Sequence, residues 1–218
     1  MRVDLRLYAI IDPQVSGGHD LADLARRFAA GGATLVQLRD KASDTRAMVA
    51  RARALKAALG TVPLLINDRV DVALAAGCDG VHIGQEDMTA EDARRLMGPG
   101  AVIGLSIKTI AQAAAAPLGL IDYAGIGGVY GTTSKGNTAQ PIGPDGLKRI
   151  VEELHRRKPG FPTCGIAGIT DSNAAEVIAA GADGIAVISA LSRVPDPQAA
   201  ARHLRTIVAV ELAKRGHA

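Results

Sequence analysis

The chain has 218 residues, 48% apolar and 22% charged, which excludes a disordered or fibrous protein and allows one sizeable core. Lys and Arg number 25 against 22 Asp and Glu, so the formal charge of +3 is too slight for a nucleic-acid surface, though compatible with small anionic substrates. Aromatic residues make up only 2%, which argues against a base-stacking module and leaves the core to Ala, Val, Leu and Ile.

In chain order, short apolar runs predict strands at residues 7–11, 35–38, 64–66, 80–83, 102–105, 123–126, 163–166 and 184–187. Apolar spacings of three and four predict helices between them, among them 21–30, 45–58, 70–76, 90–97, 146–157 and 173–180. The strands are apolar on consecutive residues, as when both faces of a parallel sheet are covered. Eight strands with so little spare loop predict an α/β fold, a (β/α)8 TIM barrel spanning 1–218 as one domain. An open doubly wound sheet is the alternative, but Asp12-Pro13-Gln14-Val15 after the first strand carries no GxGxxG.

An internal echo accompanies the pattern. Ala75-Ala76-Gly77-Cys78-Asp79-Gly80-Val81 matches Ala179-Ala180-Gly181-Ala182-Asp183-Gly184-Ile185, and Ala30-Gly31-Gly32-Ala33-Thr34 is a looser copy. Each reads as a helix closed by a left-handed Gly and followed by a buried strand, at the end of a barrel that carries stability. The basic run from Lys148 to Lys158 contains Glu152 and Glu153 and reads as a solvated helix face. Cys78 and Cys164 stand far apart, with neither zinc nor disulfide spacing, which suits free thiols in a reducing cytoplasm. No apolar run reaches the about 18 residues of a membrane span, and the first residues do not look like a secretory leader. The five histidines form no metal spacing, and His82, inside the fourth strand, reads as a satisfied core residue.

In a barrel, chemistry sits where strands end. After the second strand, Gln37, Arg39 and Lys41 alternate, which puts three side chains on one face of an extended segment. Two neighbouring cations repel unless an anion such as diphosphate lies between them. Asn67-Asp68 follows the third strand and Asp87 the fourth. Asp68 and Asp87 together suit Mg²⁺ completed by water and phosphate, while each alone could cap the helix that follows it. Ser106 and Lys108 follow the fifth strand. Thr132-Thr133-Ser134-Lys135 lies in a glycine-rich stretch, offering hydroxyls, amides and an ammonium to oxyanions under a mobile cover. Gly165 to Ile169 and Ile188-Ser189 occupy the usual phosphate site behind the last two strands. With neither GxSxG nor a P-loop, this equipment suits departure of phosphate or diphosphate without a covalent nucleophile.

These pieces resemble the thiamine-phosphate synthase family: Gln37-Leu38-Arg39-Asp40-Lys41, Ile66-Asn67-Asp68, Gly80-Val81-His82-Ile83-Gly84-Gln85-Glu86-Asp87, Gly104-Leu105-Ser106, Tyr130 to Lys135, Gly165 to Ile169 and Gly181 to Gly184, in the family order. The resemblance implies a transferase that joins hydroxymethylpyrimidine diphosphate to a thiazole phosphate, carboxylated or not, and releases diphosphate. It implies that diphosphate leaves first, that the pyrimidine amino group stabilises the resulting cation, and that the thiazole nitrogen captures it. It assigns Mg²⁺ to Asp68 and Asp87, diphosphate to Arg39, Lys41, Asn67 and Lys135, and the pyrimidine to Gln37 and Ser106. Thr132, Ser134, Gly168, Ile188 and Ser189 would hold the thiazole phosphate. Arg39, Lys41, Ser106 and Lys135 are the catalytic candidates. The implied partners are small molecules, with no nucleic acid or membrane and a possible homo-oligomer. Departures from the family pattern are Gly128 and Gly131 where prolines are more usual, Ser134 for Thr, Ala167 for Gly, and Lys108 where some members have His. A related thiazole tautomerase, a sugar-phosphate isomerase and a non-catalytic precursor-binding barrel are the alternatives. The first needs neither the diphosphate cations nor the metal pair, and the second wants a free acid/base pair.

Overall fold

The structure, a computed structural model, describes residues 3–132 and 140–216. Its strands are β1 (Leu7–Ile11), β2 (Leu35–Leu38), β3 (Leu64–Asn67), β4 (Gly80–Ile83), β5 (Val102–Ile107), β6 (Tyr123–Gly127), β7 (Thr163–Ile166) and β8 (Gly184–Val187). Each pairs in parallel with the next, and β1 with β8, so the sheet closes into the expected barrel. Between the strands run α1 (Leu21–Ala30), α2 (Thr45–Leu59), α3 (Val70–Ala76), α4 (Ala90–Met97), α5 (Ile110–Ala115), α6 (Gly143–Arg157) and α7 (Ala174–Ala179). A four-residue α8 (Ser189–Ser192) and the long α9 (Pro197–Lys214) follow β8. Strand β5 runs two residues beyond its expected end, because Ser106 interrupts the apolar run without interrupting the ladder. Helix α6 starts three residues early, at a Gly-Pro pair suited to a first turn.

Two apolar layers result. Leu24, Phe28, Leu55, Leu147 and Val177 fill the space between helices and the outward face of the sheet. Inside the barrel, Leu35, Leu65, Val102 and Cys164 make a smaller plug toward the N-terminal ends of the strands. One alternation further along, the inward positions turn polar: Gln37 after Leu35, Asn67 after Leu65, Ser106 after Gly104. Period two thus delivers polar groups to the C-terminal mouth without breaking the core.

The sequence echo has a physical cause at the opposite end. Asp79, just before β4, accepts the N–H of Leu64, the first residue of β3, at 2.8 Å. Asp122 does the same for Ile103 in β5 at 2.7 Å, and Asp183 for Thr163 in β7 at 2.9 Å. Thr34 Oγ1 accepts the N–H of Leu7 at 3.1 Å. Each even strand is thereby pinned to the odd strand before it. The Gly after two of these Asp residues makes room: a Cβ on Gly80 would lie 1.9 Å from Val102 O, and one on Gly184 1.7 Å from Leu5 O. The left-handed cap expected of all three copies holds for Gly77 (φ +67), whereas α1 and α7 end on right-handed Gly31 and Ala180 and place the positive angle one residue later, at Gly32 (φ +96) and Gly181 (φ +113).

Helix α9 closes the ring against α1 and α7, and Arg215 beyond it donates to the carbonyls of Ile178, Gly181 and Ala182. Lys148, Arg149, Arg156 and Arg157 lie on the exposed face of α6, as the mixed charge run suggests. The two cysteines form no disulfide, Cys164 being buried and Cys78 half-buried. Among the described residues, no helix is long and apolar enough to cross a membrane.

The pin at Asp122 sets a test. Its carboxylate also binds Arg94 at 2.7 Å. Asp122→Ala should lose about 2 kcal/mol in urea unfolding at constant m, and Asp122→Asn distinctly less, because the amide keeps an acceptor for Ile103. Equal losses in the two variants would discount the backbone pin.

Candidate active site

Loop residues after β1 to β4 set the charge at the mouth. Gln37 is buried and donates through Nε2 to the Tyr8 hydroxyl. Arg39 reaches back to Asp12, a buried carboxylate at the end of β1 that also accepts the Gln14 N–H at 2.9 Å. Lys41 reaches the other way, to Asp68. The alternation of residues 37, 39 and 41 therefore brings all three to one end of the barrel, but the two cations do not face each other across a gap. Each already holds a carboxylate.

Asp68 and Asp87 come within hydrogen-bonding range of each other. Burial raises the Asp68 carboxyl above the ordinary carboxylate range, Lys41 opposes the shift, and Asp87 adds to it. Asp68 sits at φ +62 and donates its N–H to the His82 carbonyl at 2.8 Å. Asp87 Oδ2 accepts the Gly84 N–H at 2.7 Å. Neither caps a helix: Arg69 precedes α3 without a side-chain bond, and Thr89 caps α4. Among the described residues, no three His, Cys, Asp or Glu side chains gather at one point. The donor set is thus two hard carboxylates with one cation already beside them, which fits a Mg²⁺ completed by water and substrate oxygens and does not fit zinc.

Lys41, Asp87, Ser106, Lys108, Tyr130 and Thr132 line a cleft of 580 Å³. Ser106 also lines a smaller cavity of 40 Å³ inside the barrel, together with Tyr8, Gln37, Asn67, His82 and Cys164. His82 bonds Tyr123 through Nδ1 at 2.8 Å and Ser106 through Nε2 at 2.9 Å, so it is satisfied as expected, yet it stands in the wall of a cavity. Opposite Asp87, Thr132, Gly168, Ile188 and Ser189 line a shallow pocket, with Ser189 opening α8. Gly168 (φ +65) brings two loops together there, since a Cβ would lie 2.4 Å from Gly131 O and 2.7 Å from Tyr130 Cβ. The Tyr130 N–H bonds Ala167 O at 3.0 Å, and its hydroxyl donates to Glu176 at 2.9 Å. Burial and Glu176 push the Tyr130 phenol up to about 12. Ser134 and Lys135 lie outside the described residues.

Sequence reasoning passed over Asp12, Tyr8 and Tyr123. Asp12 gave a signal, as a carboxylate directly after the apolar run of β1, at a strand end like the others. The tyrosines gave a weaker one: two of only three in the chain stand within strands.

A closed barrel with a paired-carboxylate rim on one side and a backbone-lined pocket behind β7 and β8 on the other defines a phosphate-handling (β/α)8 enzyme. The family model described as thiamine monophosphate synthase matches residues 7–191. The thiamine-phosphate synthase of Agrobacterium fabrum is 45% identical over 98% of both chains, and that of Moorella thermoacetica 44% over 93% of this chain and 95% of its own. The thiamine phosphate pyrophosphorylase structure from Pyrococcus furiosus superposes with a TM-score of 0.85 at 37% identity, covering 97% of this chain and 98% of that one. A geranylgeranylglyceryl phosphate synthase from Thermoplasma acidophilum, 16% identical with a TM-score of 0.68, shares the fold. The chain belongs to the thiamine monophosphate synthase family, and it is a transferase of pyrimidine and thiazole units.

One departure from the family pattern has a conformational cost. Ala167 holds φ +87, a region where an L side chain crowds its own backbone. Ala167→Gly should raise stability by about 1 kcal/mol in thermal or urea unfolding. An unchanged or lowered midpoint would mean that Ala167 carries no strain.

Proposed function

We propose that this chain couples hydroxymethylpyrimidine diphosphate to a hydroxyethylthiazole phosphate with release of diphosphate, and that the mouth of the barrel divides the task between its two sides. The observation that carries this reading is the Lys41–Asp68–Asp87 cluster beside a cleft that Ser106 and Thr132 also line. Asp68 and Asp87 would hold Mg²⁺, whose charge neutralises the departing diphosphate. Lys41 and Arg39 add fixed positive charge on the same side, with Lys135 assigned to it by the family resemblance. Charge grows on the leaving group as its bond breaks, so these groups act mainly in the transition state. Gln37 and Ser106 would hold the pyrimidine below, with Asn67 between the two levels. Thr132, Gly168, Ile188 and Ser189, with Ser134, would fix the thiazole phosphate, so that its ring nitrogen waits close to the carbon that loses diphosphate. Small phosphorylated substrates are consistent with a cytoplasmic enzyme.

Incubation with both substrates and Mg²⁺ should yield thiamine phosphate and diphosphate. Absence of product at every Mg²⁺ concentration would leave only a binding barrel. Chelation with EDTA should abolish turnover and added Mg²⁺ restore it. Lys41→Ala and Asp87→Asn should each lose on the order of 10²–10³ in kcat with an unchanged circular dichroism spectrum. Ordinary kinetics in either variant would remove that residue from the site.

A further inference from the structure

Beneath the cleft, a chain of side-chain hydrogen bonds crosses the barrel interior from β2 to β5 through residues of β1, β6 and β4. Gln37 donates to the Tyr8 hydroxyl, Tyr123 donates to Tyr8 at 2.9 Å, His82 Nδ1 meets the Tyr123 oxygen at 2.8 Å, and His82 Nε2 meets Ser106 Oγ at 2.9 Å. The interior is shaped to hold these rings. A Cβ on Gly104 would stand 2.1 Å from Tyr123 Cζ, and one on Gly125 would stand 2.9 Å from His82 Cε1.

The donor geometry assigns these protons an order in which Tyr8 accepts from both Gln37 and Tyr123. A phenol has a single proton to give, and burial raises both phenols so that neither loses it. Tyr123 gives its proton to Tyr8. Toward His82 it can therefore only accept, so Nδ1 carries a hydrogen. In the neutral imidazole Nε2 is then a bare lone pair, and Ser106 must donate to it.

We propose that Tyr8, Tyr123 and His82 are positioning residues that turn the Ser106 proton inward, so that Ser106 Oγ meets the substrate as a hydrogen-bond acceptor. The role assigned to Ser106 rests on the coupling reaction above. An acceptor at that point favours an N–H of the pyrimidine amino group, which becomes more acidic as positive charge develops on the ring, and this is a contribution to kcat and not to ground-state binding.

Tyr8→Phe supplies the test, because it frees the Tyr123 hydroxyl to turn onto Nδ1. The imidazole proton should then move to Nε2, and Ser106 should present its proton to the cleft. Ring ¹⁵N shifts of labelled full-length protein at neutral pH, with His82 identified by its absence in His82→Gln, should show Nδ1–H in the wild type and Nε2–H in Tyr8→Phe. The same variant should lose about 10- to 100-fold in kcat with KM little changed. In a Ser106→Ala background, Tyr8→Phe should cost nothing further. A wild-type proton on Nε2, or on both nitrogens, overturns the proposal, as does an equal cost of Tyr8→Phe with and without Ser106. If Tyr8→Phe fails to fold, the wild-type ¹⁵N spectrum alone decides. If the Nδ1–H form is found but no thiamine phosphate is made, the coupling reaction is rejected while the hydrogen-bond order stands.

Discussion

Two carboxylates held within hydrogen-bonding range repel each other unless positive charge stands between them. Asp68 and Asp87 are denied any retreat from that repulsion. The first is set in a left-handed backbone state at the end of β3, and the second is tied by its own side chain to the Gly84 amide. Backbone strain of this kind persists only where the surroundings over-determine it. Lys41 neutralises one of the two charges and leaves the other exposed to the cleft. Arg39 stands apart from that pair, with its guanidinium bound to the buried Asp12. The rim therefore presents uncompensated negative charge to the cleft, in keeping with the divalent cation proposed there.

Such a rim needs a rigid frame, and the frame is built at the other end of the barrel. Thr34, Asp79, Asp122 and Asp183 each tie the start of one strand to the chain entering the next. Errors in register there would travel up every strand and, at a step of one residue, would exchange inward for outward side chains. The separation of roles is complete in space. Side-chain pins hold the N-terminal ends, the apolar plug fills the lower interior, and polar side chains occupy the upper interior, where they can meet a ligand.

Much of this was legible in the residues. Largely apolar runs marked all eight strands, because a strand covered on both faces shows little polar alternation; only where Ser106 breaks such a run was a strand end, that of β5, set two residues short. Strand ends then pointed to Gln37, Arg39, Lys41, Asp68, Asp87 and Ser106, which the fold does gather at one mouth. What the sequence could not convey was pairing. Arg39 and Lys41 look alike on paper, yet one is bound to Asp12 and the other to Asp68, a choice made by which neighbouring strand each side chain leans toward. Nor did it separate cap from ligand at Asp68 and Asp87, although the helices start at residues 70 and 90 as the spacing predicts; Arg69 and Thr89 hold the cap positions. The hydroxyls of Tyr8 and Tyr123 were hidden for a related reason. Within an apolar strand, a tyrosine reads as bulk until its partner across the barrel is known.

The scarcity of aromatic residues has an optical consequence. Tryptophan is absent, so the near-ultraviolet emission of this chain comes from Tyr8, Tyr123 and Tyr130 alone. Two of them form a hydrogen-bonded pair within the barrel, with Tyr8 in the wall of the inner cavity, and the third lines the cleft. None is spent on a remote surface, so nearly every photon the protein emits originates within a few side chains of the mouth. A ligand held at that mouth would therefore sit beside the residues that emit.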